Sequence, residues 1–336
     1  MHHNSSPSPV PRLGRDPALA CADSRRRWKL GWLCLLAASV APLPLHAQAT
    51  KIFVASTGND ANDGSRGAPK RNFQAAHDAV AVGGEVVALD TAGYGALSIT
   101  KSVGITAPAG ITGFITTSGA TNGVTINAGA SDVVSLRGLT INAVNTTGGP
   151  FGILLTNVGT LNVSECTVSG YLSGLVCSNT SAAATVTVSA SAFRAQSANG
   201  VVISAFSAAA VNLVLADCEI AFNGAIGLNV SASSTSGVAQ RVEVHRTAVV
   251  GNPTTGISIA GANNSATIQS CTISANGNGL RAVSNATVKV DDCTLTGNTT
   301  GLATATGGSL FSRVSNTVEG NDTNGAFTNT TTYVAK

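Results

Sequence analysis

The sequence predicts an all-β chain in which segments of about two dozen residues wind as successive turns of one parallel coil, and three observations predict it. First, VSLRGLTI, LNVSECTV, VTVSASAF, LVLADCEI, VEVHRTAV, ATIQSCTI, VKVDDCTL and RVSNTV align on one column: Leu139, Cys166, Ser191, Cys218, Thr247, Cys271, Cys293 and Asn316. The column recurs at steps of 27, 25, 27, 29, 24, 22 and 23 residues. Second, the residues two positions after it are all apolar, and those three and five positions before it are mostly so, which is the period-2 pattern of strands. Third, Asn223, Asn252, Asn276, Asn298 and Asn321 follow at a fixed offset, and Gly174, Gly200, Gly227, Gly256, Gly279, Gly301 or Gly325 comes soon after.

Each unit therefore reads as a short strand, a turn, a second short strand and a variable connection. A unit this small cannot bury its apolar side alone, so the units must stack. Stacked as turns of one coil about 4.8 Å apart, each strand pairs in parallel with its counterpart one turn on. The expectation is a single-stranded parallel β-helix of about 9–10 coils, which the Leu spacing of leucine-rich repeats does not match. Asn suits a recurring bend because it tolerates left-handed backbone and can bond to the next Asn in a stack. Gly is expected to open the following bend at positive φ. Cys166, Cys218, Cys271 and Cys293 read as small inward hydrophobes, with Cys177 inward on the second strand. Only Cys271 and Cys293 lie in adjacent coils, and Cβ atoms about 4.8 Å apart exceed the disulfide range, so buried thiols are expected.

The N-terminus holds two unlike segments, a polar run MHHNSSPSPVPRLGRDP and then RRRWKLGWLCLLAASVAPLPLHAQA. Basic residues ahead of an apolar stretch that ends at Ala47 and Ala49 are the layout of a secretory signal peptide. Residues 1–49 are expected to be a leader cleaved near Ala47 or Ala49, leaving a periplasmic or extracellular chain. The apolar run is shorter than the ~20 residues that span a bilayer, so no transmembrane segment is expected in the mature chain. Six of the 19 Lys and Arg but only two of the 16 Asp and Glu lie in the leader, leaving 13 basic and 14 acidic residues. The mature chain has no basic field for nucleic acid. Residues 50–100 read as an N-terminal lead-in with a capping helix, and 101–336 as repeats.

In the lead-in, GNDANDGSRG at residues 58–67 concentrates turn formers and oxygen donors. Consecutive bends at Asn59-Asp60 and Asp63-Gly64 are one reading, and a weak Ca²⁺ site on Asp60, Asn62 and Asp63 the other. An EF-hand loop needs Gly at its sixth position and a terminal Glu, whereas this Gly is fifth from Asp60. A short amphipathic helix is expected over 72–82, with Phe73, Ala76 and Val80 on its apolar side and Gly83-Gly84 as its stop. Laid across the open end of the coil, it would cover unpaired backbone.

IFVASTGNDANDGSRGAPKRNFQAAHDAV, followed by GGEVVALDTAGYG and ITKSVGI, resembles the N-terminal part of the secreted right-handed parallel β-helix repeat proteins, which look broadly like pectate lyases. It departs from that pattern at Glu85, where Asp is commoner, and at Asn72, where Thr is usual. The resemblance implies a right-handed coil and an exported protein. It implies little about activity, because the architecture hosts lyases, hydrolases, epimerases and adhesins.

A β-helix lyase needs Ca²⁺ held by carboxylates and a base to remove a proton, and a hydrolase needs paired Asp. The outward strand positions are mostly bland, such as Thr185, Thr187 and Ser189. One coil differs, with Arg241, Glu243 and His245 alternating outward, and two coils on the same columns carry Lys289 and Asp291. These five are the candidate catalytic residues. The Asp291-Asp292-Cys293 run is similar to the paired aspartates of polygalacturonases, but that family's preceding Gly is Val290 here and its companion elements are missing. The first functional reading is a non-catalytic exported protein of the cell envelope or extracellular space that contacts a polysaccharide or cell surface and needs no cofactor. The alternative is a lyase or hydrolase of acidic polysaccharide centred on 241–246, for which Ca²⁺ is the expected cofactor if it is a lyase. The last repeat lacks an evident cap, so the C-terminal rung is expected either to be covered by a partner or to fray.

Overall fold

A computed structural model describes residues 48–328 apart from 145–149, 179–181, 205–208, 232–236 and 314. The signal-peptide reading and Ala47 lie outside the described residues. No described helix is long and apolar enough to cross a membrane.

The chain forms three parallel sheets of eleven, nine and ten strands, and each coil contributes one strand to each. The nine-stranded sheet sets nine complete coils among the described residues. Register is continuous along the tube: Leu161, Val186, Leu213, Val242, Ala266, Val288 and Leu310 pair successively in the eleven-stranded sheet, all buried. Such a ladder holds because a one-residue slip would turn every inward side chain to solvent.

Each coil has three strands where the repeat pattern suggested two. LNVSECTV is Thr160–Ser164 in one sheet and Thr167–Ser169 in another. The break falls at the residue before the column, which is left-handed in every coil from Gly138 to Asp292, through Glu165, Ala190, Asp217, Arg246 and Ser270. At four of the column residues that twist turns the N–H into the tube, where the column side chain of the next coil accepts it. Cys166 N–H donates to Ser191 Oγ at 3.1 Å, Cys218 N–H to Thr247 Oγ1 at 3.3 Å, Cys271 N–H to Cys293 Sγ at 3.4 Å and Cys293 N–H to Asn316 Oδ1 at 2.8 Å. The thiols return a bond to the carbonyl two residues back, as Cys166 does to Ser164 O. The column thus takes Ser, Thr, Cys or Asn because it needs a compact acceptor, a requirement beyond size and apolarity. All five described cysteines are buried free thiols. Burial pushes Cys177 up to about 12 and Cys166 up to about 11.

A second ladder closes the next bend. Asn223, Asn252, Asn276 and Asn298 are buried, and each donates from its backbone N–H and its Nδ2 to the Oδ1 of the following Asn at 2.9–3.2 Å, ending on Asn321. Gln196 and Tyr171 hold the same place in earlier coils: Tyr171 N–H donates to Gln196 Oε1, and Gln196 N–H to Asn223 Oδ1. The glycines that follow are there for a reason other than the expected one. From Gly174 to Gly301 none has positive φ, but a Cβ on any of them would lie 2.6–2.8 Å from a carbonyl oxygen of the next coil. They are points where successive backbones approach too closely for a side chain. Gly325, at φ 72, does fit the positive-φ expectation.

At the N-terminal end, Lys51–Val54 pairs with Gly84–Ala88 and extends the eleven-stranded sheet. The helix runs over Phe73–Ala79, ending before Gly83 because Val80 is already extended, with ψ 147. Phe73, Ala76 and Val80 are fully buried in the tube core, and the Phe73 ring lies 4.8 Å from that of Tyr94. At the other end the chain meets its own last coil. Gly301 N–H and Leu302 N–H donate to Thr323 O and Asn324 O, Thr328 N–H to Leu310 O, and Phe327 packs against the core.

Candidate functional site

The outward wall of the eleven-stranded sheet carries the candidates. Arg241–His245 presents Arg241, Glu243 and His245, while Val242 and Val244 are buried. Register places Thr267 and then Lys289 beside Glu243, and Gln269 and then Asp291 beside His245. The structure therefore puts all five on one face, in two groups separated by a full coil, or about 10 Å. Within the first group His245 Nε2 stands 3.5 Å from Glu243 Oε2. In the second, Asp291 accepts from Ser315 Oγ at 2.8 Å and faces Arg313 at 3.5 Å. A groove of about 270 Å³ is lined by Lys289, Asp291, Arg313, Thr267 and Gln269, and leaves Arg241, Glu243 and His245 outside. Asp292 turns away into the bend, where it accepts from Ser270 Oγ at 2.9 Å, so the adjacent aspartates do not form a paired site.

The lead-in loop has its own chemistry. Asp60 Oδ1 accepts from Arg71 N–H and Asn72 N–H at 2.8 and 2.9 Å, and Oδ2 from Asn72 Nδ2 at 2.6 Å. Asp63 Oδ1 accepts from Ser65 N–H, and Asn62 Nδ2 donates to Pro69 O. The cation in the loop is the Lys70 ammonium, only 8% exposed, which donates to Asp60 O at 2.9 Å and Asn62 O at 2.7 Å. Among the described residues no three His, Cys, Asp or Glu side chains group to hold a metal.

Partial burial alone would raise the Asp60 carboxyl, but the bonds from Asn72 and Arg71 outweigh it and hold the carboxyl below its ordinary value of 3.8. A depressed pKa means that its stabilisation is present above 3.8 and lost as pH falls below it. Lys70→Met is expected to cost about 2–3 kcal/mol by stranding two carbonyls. It should appear as a lowered thermal midpoint and faster amide exchange in residues 58–72, with wild type showing the same loosening in acid.

Sequence reading missed one feature. A groove of about 550 Å³ crosses the ten-stranded sheet at Ala190 and Ala192, where short side chains leave room between Glu165, Arg194, Asp217, Glu219 and Arg246. Arg246 holds Asp217 bidentately at 2.7 and 2.8 Å, lowering the carboxyl and raising the guanidinium. The only signal was an alanine at a bend position that carries charge in neighbouring coils. Five aromatics outside the ladder, Tyr94, Tyr171, Phe206, Phe222 and Tyr333, are the sequence's candidate platforms for stacking on sugar, and of these Phe222 is 67% exposed. Tyr94 and Tyr171, the sequence's other candidate aromatic platforms, are fully buried: Tyr94 OH donates to Asp90, and Tyr171 OH accepts from Thr117 Oγ1 at 3.0 Å. Phe206 and Tyr333 lie outside the described residues.

Three parallel sheets closed by an asparagine ladder define a β-helix. The right-handed β-helix region family matches residues 151–323, more than half of the chain, and the chain belongs to that family. Among solved structures it is similar to the pectate lyase Pel9A, with TM-score 0.52 and 14% identity over 81% of this chain and 79% of that one. It is also similar to a rhamnogalacturonan lyase, with TM-score 0.47 and 10% identity over 73% of each chain. At these identities the likeness is one of fold. No curated protein matches the chain.

Proposed function

We propose that the mature chain is exported and acts as a non-catalytic β-helix of the envelope or extracellular space, contacting a glycan or similar surface polymer through the wall of its eleven-stranded sheet. One observation carries this reading: the wall presents in-register rows of hydroxyl and amide side chains, Thr160-Thr185-Asn212, Asn162-Thr187 and Ser164-Ser189. A hydrogen-bonding group thus recurs about 4.8 Å apart over two or three successive coils, a spacing suited to contact with a repeating polymer. Charges on and beside the wall pair with one another, as in Lys51–Glu85 at 2.8 Å and Arg137–Glu165 at 3.0 Å.

Co-sedimentation with insoluble polysaccharides tests the reading. Binding is expected, and Thr187→Arg should weaken it with no change in melting temperature. The parallel assay is polygalacturonate with Ca²⁺, followed by the absorbance of unsaturated ends. Turnover that disappears in Arg241→Ala or His245→Ala would establish the lyase alternative and sink this one.

A further inference from the structure

Phe222 breaks the rule of its own bend. In the coils from Gly170 onward the equivalent residue is Gly170, Ala195, Gly251, Ala275, Gly297 and Gly320, always small and always at positive φ. Phe222 has φ 54, a conformation a bulky side chain rarely adopts, and it keeps its ring largely in solvent. One edge of the ring rests against the next coil: a Cβ on Gly251 would come 2.5 and 2.7 Å from its edge atoms. The ring therefore meets the glycine at one edge and leaves most of its surface open to solvent. A strained, exposed aromatic serves neither the backbone nor the core, and such outliers gather at ligand sites.

What lies beside the ring gives the ligand class. Phe222 ends the strand Glu219–Ala221, and Arg194 pairs in register with Ala221. The large groove, lined by Arg194 and Glu219, therefore opens within one strand's length of the ring, about 10 Å from it. Arg194 stands 4.0 Å from Glu219, and Arg246 is held by Asp217. Both arginines already face carboxylates, so the groove has little positive charge to recruit an acidic sugar. Paired in this way, the same groups still offer N–H donors and carboxylate lone pairs to hydroxyls.

We infer that Phe222 and the adjoining groove form a binding site for a neutral glycan, one pyranose stacking on the open face of the ring while the next is hydrogen-bonded by Arg194 and Glu219. This site is centred on the ten-stranded sheet, across the bend from the hydroxyl wall, and the substitutions at Phe222 and Thr187 test the two separately, so either can fail while the other remains measurable.

The test is calorimetric titration of the full chain with cellohexaose, xylohexaose and mannohexaose, with hexagalacturonate as the charged comparison. At least one neutral hexasaccharide is expected to bind. Phe222→Ala should weaken it about tenfold or more, while Phe222→Tyr, which keeps the ring, should stay within about threefold. Glu219→Gln, distant from the strained bend, should weaken it about three- to tenfold. Thr187→Arg should leave it unchanged. The inference is overturned if none of the three neutral sugars binds, if hexagalacturonate binds more tightly than all of them, or if Phe222→Ala binds as wild type does.

Discussion

Asn276→Ala is expected to be among the most damaging single substitutions in the tube, costing about 3–4 kcal/mol. The Asn276 amide sits at the middle of its ladder. Its Oδ1 accepts from Asn252 N–H at 2.9 Å and Asn252 Nδ2 at 3.0 Å, and its Nδ2 donates to Asn298 Oδ1, Val249 O and Ser274 O at 2.9–3.1 Å. Alanine removes the partner but leaves the buried groups, each of which then carries its own desolvation penalty. Urea unfolding followed by circular dichroism should show the loss as a lowered midpoint. Asn276→Asp gives a sharper check. A carboxylate could still accept from Asn252, but it would face Asn298 Oδ1 with no proton to donate. Its folded pKa would be raised, so its penalty should shrink as pH falls through that value.

The second large effect is expected at Gly256, where alanine should cost about 2–3 kcal/mol. Its backbone is not left-handed, so in open surroundings the added methyl would stabilise by restricting the unfolded chain. Here the methyl carbon would stand 2.7 Å from Gly279 O and 3.0 Å from Asn276 Nδ2, pressing on two coil contacts at once. Gly67, with nothing within 4 Å of its would-be Cβ, is the comparison. Gly67→Ala should leave the melting temperature unchanged or slightly raised. Equal losses at the two positions would show that close approach is not what fixes glycine at 256.

The parts of this fold legible in the sequence are those written as a fixed residue type at a fixed offset: the column, the apolar alternation and the asparagines. The lead-in helix was legible for a similar reason, since Phe73, Ala76 and Val80 keep helical spacing. The bend inside LNVSECTV was hidden because no side chain specifies it; Glu165, Ala190, Asp217, Arg246, Ser270 and Asp292 share only a backbone twist. The glycine column was seen but misread, because contact between carbonyls of successive coils is invisible along a single strand. The five polar candidates were placed correctly on one face, yet the groove takes in only Lys289 and Asp291 of them, since its shape depends on Arg313 arriving from a later coil. Phe222 went unremarked as an outlier because a lone aromatic among small residues has no period.

The spacing of the coils is unevenly distributed. From the column to the buried residue of the nine-stranded sheet the chain takes nine or ten residues in each coil from Cys166 onward, as from Cys166 to Leu175 or Cys218 to Leu228. From there back to the next column it takes anywhere from 13, Leu280 to Cys293, to 19, Leu228 to Thr247. From Cys166 onward the molecule therefore keeps its slack along one seam, whereas the preceding coil, with 14 residues from Leu139 to Ile153, carries extra length in the other span. Residues gained or lost there leave the neighbouring turns undisturbed, whereas a single residue inserted between Cys271 and Leu280 would turn the rest of that turn inside out. New loops can be grafted, and lineages can diverge, along that seam while the two remaining corners stay locked.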